Sequence, residues 1–454
     1  MGGELNRAPD GRKGTCVREA VAWLAEILAD QRAKVIIDDD PTGTQAVSDI
    51  EVILRPDRAA FDDFFASARR STFVLSNSRA LPEPAAVELV GGIARTVDTA
   101  ARAAGRPLTL VLRGDSTLRG HVFAEIDAVA PGTPVLFVPA FLDGGRFTRD
   151  GVHYLRTPAG PVPVSDTEFA RDPDFGYRSD NLSDWVREVS GGRRHPVPVP
   201  LATLRGQGPD AVAEALLAAG PDAVVVPDCV SEADVLAIAV GLLRAQARGA
   251  SVVVRCAASL AAALAGLSTR RVEHIDLPST GRVLVACGSY TAASTRQLRA
   301  LGGLWRQRVE ISLGPAAGDD SRLADLVRER ITRGGRALLA TDRVPGHADF
   351  PAAPGLLMDT LVATVRRLAT QVDLVVAKGG ITSARLATDA LGATGARVRG
   401  QVLAGVPVWS LHTPQGSRSF VVVPGNVGTD HTLRDILRRV RTAAVPAPAT
   451  GADR

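Results

Sequence analysis

Three carboxylates in a row, Asp38-Asp39-Asp40, follow the apolar stretch Val35-Ile36-Ile37 and run into the turn Pro41-Thr42-Gly43. Adjacent carboxylates repel one another, and they are tolerable where they face water, a cation or hydroxyl groups. A second cluster, Arg113-Gly114-Asp115-Ser116-Thr117-Leu118-Arg119-Gly120-His121, follows the apolar stretch 108–112. It sets two guanidinium forks, a carboxylate and two hydroxyls close together. Such forks grip carboxylates in bidentate fashion, so Arg113 and Arg119, with Ser116 and Thr117, suit an acidic ligand. Asp115 suits a hydroxyl, as hydrogen-bond or proton acceptor. A third cluster, Pro139-Ala140-Phe141-Leu142-Asp143-Gly144-Gly145-Arg146-Phe147-Thr148, adds a further fork at Arg146 and glycines that admit close backbone approach. Blander readings stand beside these. The acidic run can be a polar turn, Ser116 or Thr117 can cap a helix that Leu118 opens, and His153 suits a structural hydrogen-bonder better than a base.

The second half carries glycine turns instead. Cys287-Gly288-Ser289-Tyr290-Thr291, Lys378-Gly379-Gly380-Ile381-Thr382-Ser383 and Pro424-Gly425-Asn426-Val427-Gly428-Thr429 each follow an apolar run and precede a helical pattern. A strand, a glycine turn and a helix present free backbone N–H groups to an anion. Three in one domain point to a nucleotide. Lys378, in a chain whose other lysines are Lys13 and Lys34, could neutralise phosphate. Neither GxxxxGK[ST] nor GxGxxG with a downstream acid occurs, so the chain is neither a P-loop enzyme nor a clear dinucleotide binder. HExxH and GxSxG are also missing.

Elements that could hold these clusters alternate along the chain. Strands are expected at 34–37, 50–54, 72–75, 108–112, 134–138, 223–226 and 251–254, then at 282–286, 337–340, 373–376, 406–410 and 419–423. Helices are expected at 17–28, 84–104, 211–219, 233–247, 294–301, 321–333, 354–370 and 429–441. Apolar runs without alternation suit strands buried on both faces. The fold class is therefore α/β, with two domains, each a mostly parallel sheet flanked by helices, and a cleft between. A length of 454 residues exceeds one ordinary core. The polar stretch 268–281 marks the boundary between a first domain, 16–270, and a second, 280–442. Residues 1–15 and 443–454 read as flexible tails. Residues 143–193 break the rhythm, as a long irregular excursion that covers substrate.

Composition excludes more than it identifies. The net charge of +4 comes from scattered arginines, and aromatics are only 4%, leaving few platforms for stacked bases; no nucleic-acid partner is expected. Four dispersed cysteines, Cys16, Cys229, Cys256 and Cys287, form no CxxC pair, which argues against zinc or a disulfide framework. Cys256 and Cys287 read as small buried hydrophobes. With no long apolar segment, the expectation is a cytoplasmic chain without membrane contact.

Several of these segments resemble the four-carbon acid sugar kinases. The family's DDxTG turn is similar to Asp39-Asp40-Pro41-Thr42-Gly43, its DSTLRG run to Asp115 through Gly120, and its PAF segment with a later GR and Thr to residues 139–148. Its GS turn with following Thr and Gln resembles Gly288, Ser289, Thr295 and Gln297. Its GG turn resembles Gly379, Gly380, Ile381 and Thr382, and its GN turn resembles Gly425, Asn426 and Gly428. Where the family often has a lysine before the last turn, this chain has Val423, and Lys378 could replace that charge. The resemblance, over about residues 34–439, implies ATP-dependent phosphorylation of a hydroxyl on a small acidic sugar, with ATP and Mg2+, metal ligands unassigned, and a homodimer possible. On that reading Asp39, Asp40 and Asp115 hold hydroxyls, with Asp115 favoured as the base, and Arg113, Arg119 or Arg146 holds the carboxylate. Phosphates lie against 379–383 and 425–428, with Ser289 and Lys378 adding contacts. The alternatives are a non-catalytic sensor of sugar acids or nucleotides, and an ATP-independent lyase or isomerase.

Overall fold

The computed structural model describes residues 10–267, 275, 277, 281–311, 319–342, 354–425 and 427–440. The chain divides into two compact units, Met1–Val47 with Pro56–Arg271, and Ser48–Arg55 with Val272–Arg454. Most of the boundary stretch 268–281 and the tails 1–9 and 441–454 lie outside the described residues. In chain order the strands are β1 (Ala33–Asp38), β2 (Ile50–Ile53), β3 (Ser71–Leu75), β4 (Leu108–Arg113), β5 (Val135–Val138), β6 (Arg146–Arg149), β7 (Val152–Thr157), β8 (Gly160–Pro163), β9 (His195–Val199), β10 (Ala223–Pro227), β11 (Val253–Cys256), β12 (Val283–Cys287), β13 (Val309–Ile311), β14 (Arg336–Thr341), β15 (Leu374–Lys378), β16 (Gly395–Leu403), β17 (Val406–Thr413) and β18 (Gly416–Val423).

The main sheet of the first unit runs β3-β1-β4-β11-β5-β10-β9, and every pairing in it is parallel. Every residue of β1, β5, β10 and β11 is buried, which is why these strands read as mostly apolar runs. Helices Glu83–Ala103 and Glu232–Ala247 cross between successive strands. The register pairs Asp38 with both Leu75 and Arg113, and Arg113 with Cys256. Four strands therefore end flush, at the carboxyl edge where open parallel sheets bind ligands.

In the second unit β13-β14-β12-β15-β18 are parallel, and β17, β16 and β2 extend the sheet antiparallel. Leu338, Val285, Val376, Val421, Val408 and Ile436 meet in its core. Strand β2 comes from the first half of the sequence and pairs with β16 from Ile50↔Val398 to Ile53↔Gly395.

Both units match the expected α/β class, and each expected strand and helix is present. The opening helix starts earlier than its apolar pattern, at Asp10, and ends at Ala29. The excursion is ordered rather than irregular. It forms the small antiparallel sheet β6-β7-β8 and a helix, Leu182–Val189. These strands are four to six residues long, and β8 carries two prolines; they are too short for periodicity to register. The buried Cys256 and Cys287 fit their expected role. No helix among the described residues is long and apolar enough to cross a membrane.

Candidate functional site

Within the first unit, the three acidic and arginine-bearing clusters lie together at the carboxyl edge of the sheet. Asp38, at the end of β1, accepts from Arg113 Nη1 at 3.0 Å across the strand pair. The Asp39 N–H donates to the Arg113 carbonyl at 3.2 Å, and Gly114 N–H to the Cys256 carbonyl at 2.9 Å. Gly43 has to be glycine here, because a Cβ would fall 1.8 Å from Asp38 Oδ2.

Three partners of this cluster carry no signal in the motifs above. Arg79, after β3, reaches Asp39 at 3.8 Å and Asp115 at 3.5 Å through Nη1, and bonds Asp40 through Nη2. Arg255, buried within β11, pairs with Glu125 and lies 3.7 Å from Asp39; Ser78 donates to the other Glu125 oxygen. An arginine inside an otherwise apolar strand run was the available clue for Arg255. Arg79 could have been found from its place at the end of a strand. Glu125 sits on the buried face of a short helix and gives no separate sign.

Arg119 bonds Asp115 at 2.9 Å through Nε and Asp172 at 3.3 Å through Nη1. Thr117 Oγ1 donates to Asp115. Burial alone would raise the Asp115 carboxyl, yet Arg79 and Arg119, with the Thr117 hydroxyl, hold it well below the usual carboxylate range. Burial moves its neighbours the other way. The Asp38 carboxyl rises to about 7 against the opposing Arg113 charge, and Asp39 rises as well. Both Asp39 oxygens are buried without a hydrogen-bond partner.

Ser116 and Thr117 cap no helix. The helix after them is Val122–Val129, with His121 at its start, and Leu118 sits in left-handed backbone at φ 68°. A bulky residue there is strained, so the loop needs holding. Buried His153 Nε2 donates to the Ser116 carbonyl at 2.9 Å while Nδ1 accepts from Thr148 at 3.0 Å. Burial pushes the imidazole down to about 4, and with both nitrogens engaged His153 is a structural hydrogen-bonder. Tyr177 Oη donates to the Thr117 carbonyl at 2.8 Å.

Arg146 differs from the other forks. Its Nη1 donates to the Gly144 carbonyl at 2.5 Å, its Nε is buried without a partner, and among the described residues no carboxylate lies within 4.0 Å of it. Burial lowers its proton affinity, and the charges of Asp115 and Arg119 are near enough to act on it. A guanidinium in that state has donors to offer an anion.

The second unit brings its glycine turns together. Thr291 caps the helix Ala292–Arg299, accepting from Ser294 N–H, and donates to the Gly425 carbonyl at 3.3 Å. Ser294 Oγ bonds Ser289 Oγ at 2.9 Å. A Cβ on Gly288 would meet Thr382 Oγ1 at 2.7 Å, and one on Gly379 would meet Ser289 Cβ at 3.0 Å. Gly380 opens the helix Gly380–Arg385, which continues as a π turn to Ala390. Ile381 is half exposed beside it, and Thr382 is buried. Gly428 lies against Thr432, whose Oγ1 would be 2.0 Å from a Cβ. Lys378 turns inward, its ammonium donating to the carbonyls of Pro424 at 2.5 Å and Gly425 at 3.1 Å; it pairs in register with Val423. The Gln297 amide donates to the Val427 carbonyl at 3.0 Å. Asn426 lies outside the described residues.

Comparison with known proteins finds two families along the chain. Residues 34–264 match the family described as a sugar-binding N-terminal domain, and 284–433 the family described as a nucleotide-binding C-terminal domain. A Haemophilus influenzae protein of the DUF1537 family has a similar fold, with TM-score 0.59 and 17% identity over 89% of this chain and 99% of its own. So does a Salmonella typhimurium LT2 protein provisionally named a tRNA synthase, with TM-score 0.64 and 16% identity over 90% of this chain and 99% of its own. No curated protein matches the chain.

Proposed function

The chain belongs to the family that joins a sugar-binding N-terminal domain to a nucleotide-binding C-terminal domain, the architecture of the four-carbon acid sugar kinases, and on that premise we propose that it transfers the γ-phosphoryl group of ATP to a hydroxyl of a small sugar acid. The observation that carries this is Arg146, a buried guanidinium with no carboxylate within 4.0 Å among the described residues, near enough to Asp115 to feel its charge. Arg113 and Arg119 are already paired with aspartates, so the substrate carboxylate goes to Arg146. Asp40 and Asp115 accept hydrogen bonds from substrate hydroxyls. Environments that push neighbouring carboxyls apart divide the roles. Asp115, held ionised, orients the attacking hydroxyl. Asp39, raised by burial and with both oxygens free of hydrogen bonds, is better suited to take its proton.

The nucleotide phosphates lie against the converged turns of Ser289, Gly379–Thr382 and Gly425–Gly428, with Lys378 shaping the last turn from beneath. Phosphoryl transfer asks mostly for positioning and charge stabilisation. Among the described residues no group of three or more His, Cys, Asp or Glu side chains could hold a metal ion, so magnesium is assigned no protein ligand. ADP release, screened against tetronates, oxo-tetronates and aldonates, tests the proposal. Turnover is expected with at least one acid, and Arg146→Gln should raise its KM by about tenfold or more, the scale of one charge-assisted hydrogen bond. Sugar-acid binding without ADP would favour a sensor, and sugar-acid turnover without ATP a lyase or isomerase; either result overturns the kinase.

A further inference from the structure

Residues 168–177 form a strap over the strained loop. Its fixings are the Tyr177 hydroxyl on the Thr117 carbonyl, a T-shaped contact of Phe175 with the His121 ring at 4.9 Å between centroids, and the Phe169 ring under the Arg119 guanidinium at 4.9 Å. Gly176 lets the strap fold back, since a Cβ there would press on the Asp172 carbonyl at 2.8 Å. At its bend Asp172 uses its two oxygens differently. Oδ1 accepts from the Asp174 and Phe175 N–H groups at 3.0 and 3.2 Å, and Oδ2 accepts from Arg119 at 3.3 Å.

Arg119 already has a carboxylate partner in Asp115. Asp38, Asp39, Asp40, Asp115 and Glu125 already face Arg79, Arg113, Arg119 and Arg255. Asp172 adds an acid to a cluster in which acids equal or outnumber bases, and it does so on the fork that the strap leaves partly open to solvent. Of the guanidiniums described at this site, Arg146 is then the one left without a carboxylate.

We propose that Asp172 is a specificity-determining residue. Its carboxylate occupies Arg119 where a second acidic group of a ligand would otherwise dock, leaving one anion receptor, Arg146, so that the site accepts sugar monoacids and rejects diacids. This rests on the sugar-acid reading above and names the charge class of that ligand.

The test compares a tetronate with tartrate, which has the same carbon count and a second carboxylate, by calorimetric titration of the full chain. Binding is read rather than turnover, since tartrate replaces a terminal hydroxymethyl group. Asp172→Asn keeps an oxygen for the Asp174 and Phe175 N–H groups and removes the charge. The wild type should bind the tetronate well and tartrate poorly. In Asp172→Asn, tartrate should tighten on the order of tenfold, the worth of one charge-assisted contact, while the tetronate changes by less than about threefold. Equal changes for both ligands would mark a merely structural residue and overturn the proposal, as would no change for tartrate. A wild-type chain that binds neither acid removes the sugar-acid reading itself, and this inference falls with it.

Discussion

Asp39 and Asp115 share the Arg79 guanidinium yet differ in what they can do with a proton. Asp115 is engaged by Arg79, Arg119 and Thr117, which lowers its basicity; Asp39 is buried, which raises its own. A proton acceptor of low affinity is a poor base, whereas an orienting carboxylate loses nothing by being firmly ionised. If the roles divide as proposed, Asp39→Asn should lower kcat by about 10²–10⁴-fold, the usual span of general-base catalysis, and flatten the acid limb of the pH–rate profile. Asp115→Asn should act mainly through KM and leave that limb in place. Steady-state kinetics from pH 5 to 9 separates the outcomes, and a flattened limb in Asp115→Asn alone would return the base to the residue that the sequence motif favours.

The strands and helices that position the sites were legible because burial on both faces writes itself as unbroken apolar runs, as in Val224-Val225-Val226 and Val283-Leu284-Val285. What stayed hidden has physical reasons. Strands β6, β7 and β8 are short and half-buried, so no period emerges. Leu118 occupies a conformation its residue type disfavours, and the helix expected to start there begins at Val122. Arg79, Glu125 and Asp172 become site residues only through contacts far apart in sequence. Lys378 stands out by its rarity and its place at a glycine turn, and its ammonium donates to the carbonyls of the neighbouring turn. Gly379, by contrast, sits where the backbone itself requires glycine. At φ 111° and with Ser289 Cβ 3.0 Å from where its own Cβ would lie, it cannot take a side chain without opening the turn. Gly379→Ala should weaken ATP binding on the order of tenfold, given backbone strain of roughly 1–3 kcal/mol, and leave sugar-acid affinity in the first unit unchanged. Loss of both affinities in calorimetry would mean global damage rather than a local phosphate site.

At the scale of the whole chain, the two units are not two consecutive halves. The chain leaves the first unit at Val47, contributes Ser48–Arg55 to the second, and returns at Pro56. Within the second unit β2 covers β16 along four residue pairs, Asp49 N–H donates to the Val398 carbonyl at 2.7 Å, and Arg397 bonds the Asp49 carboxylate. A cut at the apparent boundary near 271 therefore strips a strand from the nucleotide-binding unit and leaves the β16 hydrogen-bonding edge bare. Unpaired strand edges invite aggregation, and each lost ladder bond forfeits about 1 kcal/mol of net stability. The fragment 272–454 should thus express poorly or self-associate, whereas the same fragment with residues 48–55 supplied through a flexible linker should be monodisperse and melt at a higher temperature. Size-exclusion chromatography with light scattering and a thermal melt distinguish them. If both fragments behave alike, β2 is an accessory of the second unit rather than part of its sheet.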